Sequence, residues 1–263
     1  MICYYRHMNL TLESFTEAAR AGGAIISKYF GSALHIEEKS QASDVRTQAD
    51  TESEDMIIRI IERAYPNINI FSEEAGKTDR QSEYTAVIDP LDGTNNFSLG
   101  VPLCTVSIAV MHNDEIVLGV IHNPLLNLTY TATKGGGAFA NDTRLHVNDE
   151  SAMKRSTVSY ECDYNNDLAY GEQIKHRLNE LEVKREINLW SVANDFCLLA
   201  AGKIEGIITN GNDLYDFAAG KLIALEAGAL VTNFDGKQTA DTNRTFITSN
   251  GKIHDSLLSV VRK

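Results

Sequence analysis

Val87-Ile88-Asp89-Pro90-Leu91-Asp92-Gly93-Thr94-Asn95-Asn96-Phe97 is the stretch on which the reading turns. An apolar strand runs straight into two acids that bracket a proline. Carboxylates at the end of a buried strand are costly unless a cation or a hydrogen-bond network offsets them. Pro90 pre-sets the backbone and Gly93 permits a tight bend, so Asp89, Asp92 and the Leu91 carbonyl can aim at one point. Hard oxygen ligands of that kind suit Mg²⁺. Just behind them, the amides of Gly93, Thr94 and Asn95 can cradle a phosphate oxygen. The same residue types also make ordinary solvated turns, and the stretch alone leaves that alternative open. An EF-hand calcium loop fits less well, because its acids sit two apart and it needs a later glutamate that is missing here.

Working outward, Leu12, Phe15, Ala19, Gly22, Ile26 and Tyr29 fall at helical spacing and predict a helix over residues 10–30. A polar, loop-like region follows, with one short extended piece at Leu34–Glu37. Thr51 and Glu54 have capping-box spacing for a second helix that Pro66 ends. Strands are expected at Asn69–Phe71, Thr85–Asp89, Cys104–Met111, Ile116–His122 and Leu128–Ala132, the middle pair forming a hairpin. Farther on, strands at Thr157–Tyr160, Val183–Ile187, Gly206–Thr209, Leu230–Asn233 and Thr245–Thr248 alternate with helices over 167–181, 191–202, 216–226 and 253–261. The pattern is a mixed α/β, layered protein. It divides into an N-terminal part over 1–145 and a C-terminal part over 146–263, joined as one unit.

The 263 residues carry 24 Lys and Arg against 36 Asp and Glu, for a net charge of −12. Such a surface repels nucleic acid and anionic membranes. It also repels a phosphorylated substrate, so bound phosphate needs local positive charge, and divalent cations held by carboxylates are the simplest source. The four cysteines lie far apart in sequence, which argues against a disulfide framework and for a reducing cytoplasm. No stretch resembles a signal peptide or a membrane span, and the first seven or eight residues read as an extension.

Three further segments bear on the acidic turn. Asn69-Ile70-Phe71-Ser72-Glu73-Glu74 is a short strand delivering adjacent acids; Arg46-Thr47-Gln48-Ala49-Asp50 leads into a helix; Asp213-Leu214-Tyr215-Asp216-Phe217-Ala218-Ala219-Gly220 opens another. Each alone is an ordinary loop or helix cap. Their order and combination, with Lys134–Asn141 (KGGGAFAN) between, resemble the inositol monophosphatase family of lithium-sensitive, Mg²⁺-dependent sugar phosphatases. The resemblance runs from about residue 10 to the end. It implies an αβαβα sandwich, a homodimer, and hydrolysis of a small phosphate monoester by metal-activated water.

The resemblance also implies roles. Glu73, Asp89 and the Leu91 carbonyl hold the first Mg²⁺, and Asp89, Asp92 and Asp216 the second, with a third ion near Glu73. Thr94, bonded to Asp50, activates the water, and Glu74 shares that work or serves the outer metal shell. Gly93, Thr94, Asn95, Ser191 and Thr209 are the substrate-binding candidates. Family members often carry a lysine near the metals where Lys39 stands, and none of the seven His is assigned to catalysis.

Departures lie in the substrate-reading half. Trp190 replaces a glycine before the retained Ser191, Thr209 stands where a glutamate usually lies seven residues before the last metal aspartate, and Tyr215 replaces a tryptophan. A threonine cannot offer an ionised double acceptor. The substrate therefore stays open among inositol, sugar, histidinol and fructose bisphosphate esters, with a nucleotide 3′-phosphate disfavoured. Two other classes compete: a regulatory binding protein that kept the fold, and a simple divalent-cation buffer.

Overall fold

The computed structural model describes residues 10–32, 36–39, 45–162 and 168–262. The first half runs α1 (Leu12–Tyr29), β1 (Ile36–Glu38), β2 (Val45–Thr47), α2 (Gln48–Ala64), β3 (Asn69–Ser72), β4 (Gly76–Thr78), β5 (Tyr84–Asp92), α3 (Thr94–Leu99), β6 (Thr105–His112), β7 (Glu115–Asn123), β8 (Leu128–Thr133), β9 (Gly137–Ala140) and β10 (Thr143–Arg144). The second runs β11 (Thr157–Cys162), α4 (Leu168–Glu180), β12 (Arg185–Ile187), α5 (Val192–Ala200), β13 (Gly206–Asn210), α6 (Leu214–Glu226), β14 (Leu230–Thr232), β15 (Thr245–Ser249) and α7 (His254–Val261). The expected extension before residue 10, the start of the extended piece at Leu34 and residue 167 lie outside the described residues.

Two large sheets organise the chain, in the orders β10-β9-β8-β7-β6-β5-β3-β4 and β12-β11-β13-β15-β14. Period-two alternation sorts side chains between cores. Ala86, Ile88, Val106 and Ile108 pack with Phe15, Ala19, Ile57 and Ile61 of α1 and α2. Their neighbours Val87, Ala109 and Met111 pack on the other face with Ala193, Cys197, Ala218 and Ile223 of α5 and α6. Those two helices turn Phe196 and Phe217 to Ile207 and Phe246 of the second sheet. Val158, Ile208 and Ile247 of that sheet face Ile174 and Leu257 of α4 and α7. The layers therefore follow the expected αβαβα order. No helix among the described residues is long and apolar enough to cross a membrane.

Three local expectations change. Helix α2 starts at Gln48, with Thr47 and Asp50 forming its capping box in place of Thr51 and Glu54. Glu54 is buried instead, accepting from Ser72 Oγ and from the amides of Glu74 and Ala75 at 3.0 and 3.1 Å. Strand β5 does not stop at Pro90; it continues to Asp92 through a register shift against β6 between Asp89 and Asp92. A bulge tolerates a proline that cannot donate to the ladder. Beyond it, Gly93 and Gly100, both left-handed, cap the short helix α3, so Thr94 and Asn95 sit in a helical first turn.

Candidate active site

The bulge at the end of β5 aims the acidic turn into a cavity of about 470 Å³. Asp89, Leu91, Asp92 and Gly93 line it from the turn, Thr94 and Asn95 from α3, Glu73 from the end of β3, and Asp216 from the first turn of α6. Residues up to 143 positions apart in sequence (Glu73 and Asp216) are thus brought to one wall.

Each acid is held by its own element. Asp89 Oδ1 accepts from the Leu91 amide at 3.0 Å. Asp92 Oδ2 accepts from Ser191 Oγ, from Thr105 Oγ1 at 3.2 Å and from the Ala193 amide at 3.1 Å. Asp216 Oδ2 accepts from the Asp213 amide at 2.7 Å, closing the capping box of α6. Glu73 is anchored by its amide to the Ile88 carbonyl at 3.1 Å. Thr94 Oγ1 lies 3.1 Å from Asp50 Oδ1 and 3.0 Å from the Leu91 carbonyl. Asp50 in turn accepts from the Thr47 amide at 2.8 Å and hydroxyl at 2.6 Å.

Burial dominates the electrostatics. It pushes the Asp50 and Asp92 carboxyls up to about 7. Burial, followed by repulsion from neighbouring acids, carries Asp89 and Asp216 well above the ordinary carboxylate range. Burial also raises Glu73, against the pull of Lys39.

The other sequence candidates lie off the cavity. Glu74 is engaged by Lys39 Nζ and, at 3.3 Å, by Arg46 Nη1. Ser191 is buried behind Asp92 as its hydrogen-bond donor. Thr209 is fully buried, its Oγ1 is without a hydrogen-bond partner, and it does not line the cavity. Asp50 reaches the cavity only through Thr94.

The cavity is also lined by Glu161, Asn188 and Asn212, which the sequence reading passed over, and by Trp190, which it marked as a departure. Glu161 is the penultimate residue of the largely buried strand β11, whose mixed sequence TVSYEC gives only a weaker form of the signal that drew attention to Asp89. Trp190 is 59% exposed and left-handed at φ 54°. Its amide donates to Asn188 Oδ1 at 3.0 Å, which helps hold that conformation.

The donor set fits a hard divalent cation: carboxylates plus one backbone carbonyl, buried, mutually repelling, with no Lys or Arg among the described lining residues. Among the described residues no three His, Cys, Asp or Glu side chains are already drawn up to hold an ion. Instead Lys39 Nζ pairs with Glu73 Oε1 at 2.8 Å and with Glu74. Although burial works against its charge, those two carboxylates raise the Lys39 pKa above its ordinary value.

Comparison with known proteins gives concordant matches. A family model described as the inositol monophosphatase family matches residues 8–263. A Thermotoga maritima fructose-1,6-bisphosphatase/inositol-1-monophosphatase is 34% identical over 249 residues, 93% of each chain. A Pasteurella multocida protein named Nus factor SuhB is 31% identical over 258 residues, 97% of each chain. The crystal structure of the extragenic suppressor protein SuhB from Bartonella henselae superposes with a TM-score of 0.90 at 29% identity, covering 96% of this chain and 98% of that one.

Proposed function

The chain belongs to the inositol monophosphatase family, a family of phosphatases, and we propose that it hydrolyses a small phosphate monoester with Mg²⁺ as cofactor. The observation that carries this reading is the meeting of Asp89, Asp92 and Asp216 with Glu73 and Thr94 on one cavity wall. Glu73, Asp89 and the Leu91 carbonyl would hold one ion, and Asp89, Asp92 and Asp216 another, with a third near Glu73. When bound, such ions neutralise phosphate charge and lower the pKa of water.

The chain's own groups do the rest. The Leu91 amide fixes the Asp89 carboxylate, while Ser191, Thr105 and the Ala193 amide fix Asp92. Asp50 orients the Thr94 hydroxyl. A proton taken from the attacking water at Thr94 Oγ1 can be matched by passage of the Thr94 proton to Asp50 Oδ1. The Gly93, Thr94 and Asn95 amides would donate to phosphate oxygens. An inositol or sugar monophosphate is the leading substrate, with histidinol phosphate and fructose 1,6-bisphosphate as alternatives. The same reading takes the enzyme as a cytoplasmic homodimer without nucleic-acid or membrane partners, in keeping with a net charge of −12.

The test is phosphate release from a panel of inositol, sugar, histidinol and nucleotide phosphates, with Mg²⁺ and with chelator. Mg²⁺-dependent release, inhibition by Li⁺, and a loss of about 10²-fold or more in Asp89→Asn are expected. No release from any member sinks the reading. A second reading, a regulatory binding protein, draws on the relative named a Nus factor. Capture of a stable protein partner together with absent turnover would favour it.

A further inference from the structure

The buried face of α2 changes character along its length. Ile57 and Ile61 are apolar and pack in the core with strands of the first sheet. Toward the N-terminus the same face carries Asp50, Ser53 and Glu54, each 4% exposed or less. Their spacing of i, i+3 and i+4 puts them on one side of the helix. Polar side chains turned into a core are costly unless each finds a partner. Each does, and each partner belongs to a different segment of the acidic site. Asp50 Oδ1 accepts from Thr94 Oγ1 of α3. Ser53 Oγ donates to the Pro90 carbonyl at 2.9 Å, inside the β5 bulge between Asp89 and Leu91. Glu54 Oε1 accepts from Ser72 Oγ and from the Glu74 and Ala75 amides, and so grips the chain on both sides of Glu73.

The grip of Glu54 is the tightest of the three. Alternation along β3 turns Ile70 and Ser72 toward α2 and Phe71 to the opposite face. The Glu73 amide still bonds to the Ile88 carbonyl of β5, at 3.1 Å. The next two amides lie in the turn between β3 and β4 and go to Glu54, at 3.0 and 3.1 Å. One oxygen that gathers three donors fixes the direction in which this turn leaves the strand, and with it the direction of the Glu73 side chain. Glu54 does not line the cavity itself.

We propose that Glu54 is a positioning residue for the metal site: it holds the Ser72–Ala75 turn so that Glu73 reaches the cavity beside Asp89, and it thereby sets how tightly Mg²⁺ is bound. This rests on the Mg²⁺ reading of the acidic wall. Loss of an outer partner of this kind costs about 10–100-fold in metal affinity, although it never touches the ion. The competing account is that Glu54 adds only its negative charge to the attraction of a cation.

Two variants separate reach from charge. Glu54→Gln keeps the length and an acceptor oxygen but loses the charge. Glu54→Asp keeps the charge but is one methylene short of the turn. Mg²⁺ affinity is read by calorimetry and, where binding is weak, by Mg²⁺-dependent stabilisation against urea. Glu54→Gln should stay within about threefold of the wild type, while Glu54→Asp should lose about tenfold or more. In a Glu73→Gln background the difference between the two should vanish, because the turn then has no carboxylate to aim. A charge role reverses the order of the two variants, and a general structural role leaves their difference intact in the Glu73→Gln background. Either result overturns the proposal, as does wild-type affinity in both variants. If Glu54→Asp does not fold, Glu54→Gln decides alone, and a loss beyond about threefold overturns the proposal. A wild type that shows neither binding heat nor stabilisation with Mg²⁺ brings down the Mg²⁺ reading instead, and this inference with it.

Discussion

Replacing Gly93 with alanine separates two costs that the turn carries. Gly93 and Gly100 cap the two ends of α3, and both are left-handed, at φ 85° and 74°. An alanine at either position meets the left-handed penalty of about 1–2 kcal/mol. The surroundings differ. A Cβ at Gly93 would lie 2.7 Å from the Leu103 carbonyl oxygen and 3.2 Å from Ser191 Cβ, whereas one at Gly100 would meet nothing within 4 Å. The neighbour at position 93 is backbone, so relief requires the turn to move, adding about 1–3 kcal/mol of overpacking. Gly100→Ala should therefore destabilise by about 1 kcal/mol and Gly93→Ala by about 3 kcal/mol in urea titrations under chelator. Asp92 and Thr94 flank Gly93, and a shift near 1 Å at such positions costs about 10²-fold in rate. Gly93→Ala should lose phosphate release on that scale, while Gly100→Ala stays within a few-fold. Equal destabilisation of the two variants would refute the assigned clash. Full activity in a destabilised Gly93→Ala would refute the claim that the turn's geometry sets the site.

Other outcomes follow from the same geometry. Asp50 and Asp92 have folded carboxyls pushed up to about 7 by burial. Folding therefore favours their protonated forms, whose contribution is full below the unfolded pKa of about 4 and is lost as pH rises through about 7. Under chelator, stability should fall by about 2 kcal/mol or more between pH 5 and 8, and saturating Mg²⁺ should flatten the slope; thermal melts that rise with pH would contradict this. Lys39 pairs with Glu73 and Glu74. In Lys39→Met the competing ammonium is gone, so calorimetric Mg²⁺ affinity should rise about threefold to tenfold, and unchanged affinity would show that Lys39 does not compete. Trp190→Gly should leave stability unchanged or raise it by up to about 1 kcal/mol, because glycine accepts the left-handed backbone, while KM rises through loss of the exposed indole wall. A large drop in melting temperature would show that the indole is a packing element.

Much of this protein is legible in local pattern. Alternation along Ala86, Val87 and Ile88 determines a strand buried on both faces, because successive side chains must point opposite ways. The apolar stripe of Leu12–Tyr29 determines a one-faced helix, and the acids after an apolar strand mark Asp89 and Asp92 as needing compensation. Local pattern leaves ties, however. Thr47 with Asp50 and Thr51 with Glu54 are equally valid capping boxes by spacing. Only the approach of Thr94 to Asp50, and of the Ser72–Ala75 turn to Glu54, decides between them. The surroundings of Glu161 are tertiary in the same sense. Glu161 and Asp195 reach one hydroxyl, Ser159 Oγ, because α5 lies across the face of β11 that carries Ser159 and Glu161. Periodicity and turn chemistry act within a few residues, so the sequence by itself determines elements and flags acids. Which buried acid meets a partner is set by contacts between distant segments, and only the packed layers decide it.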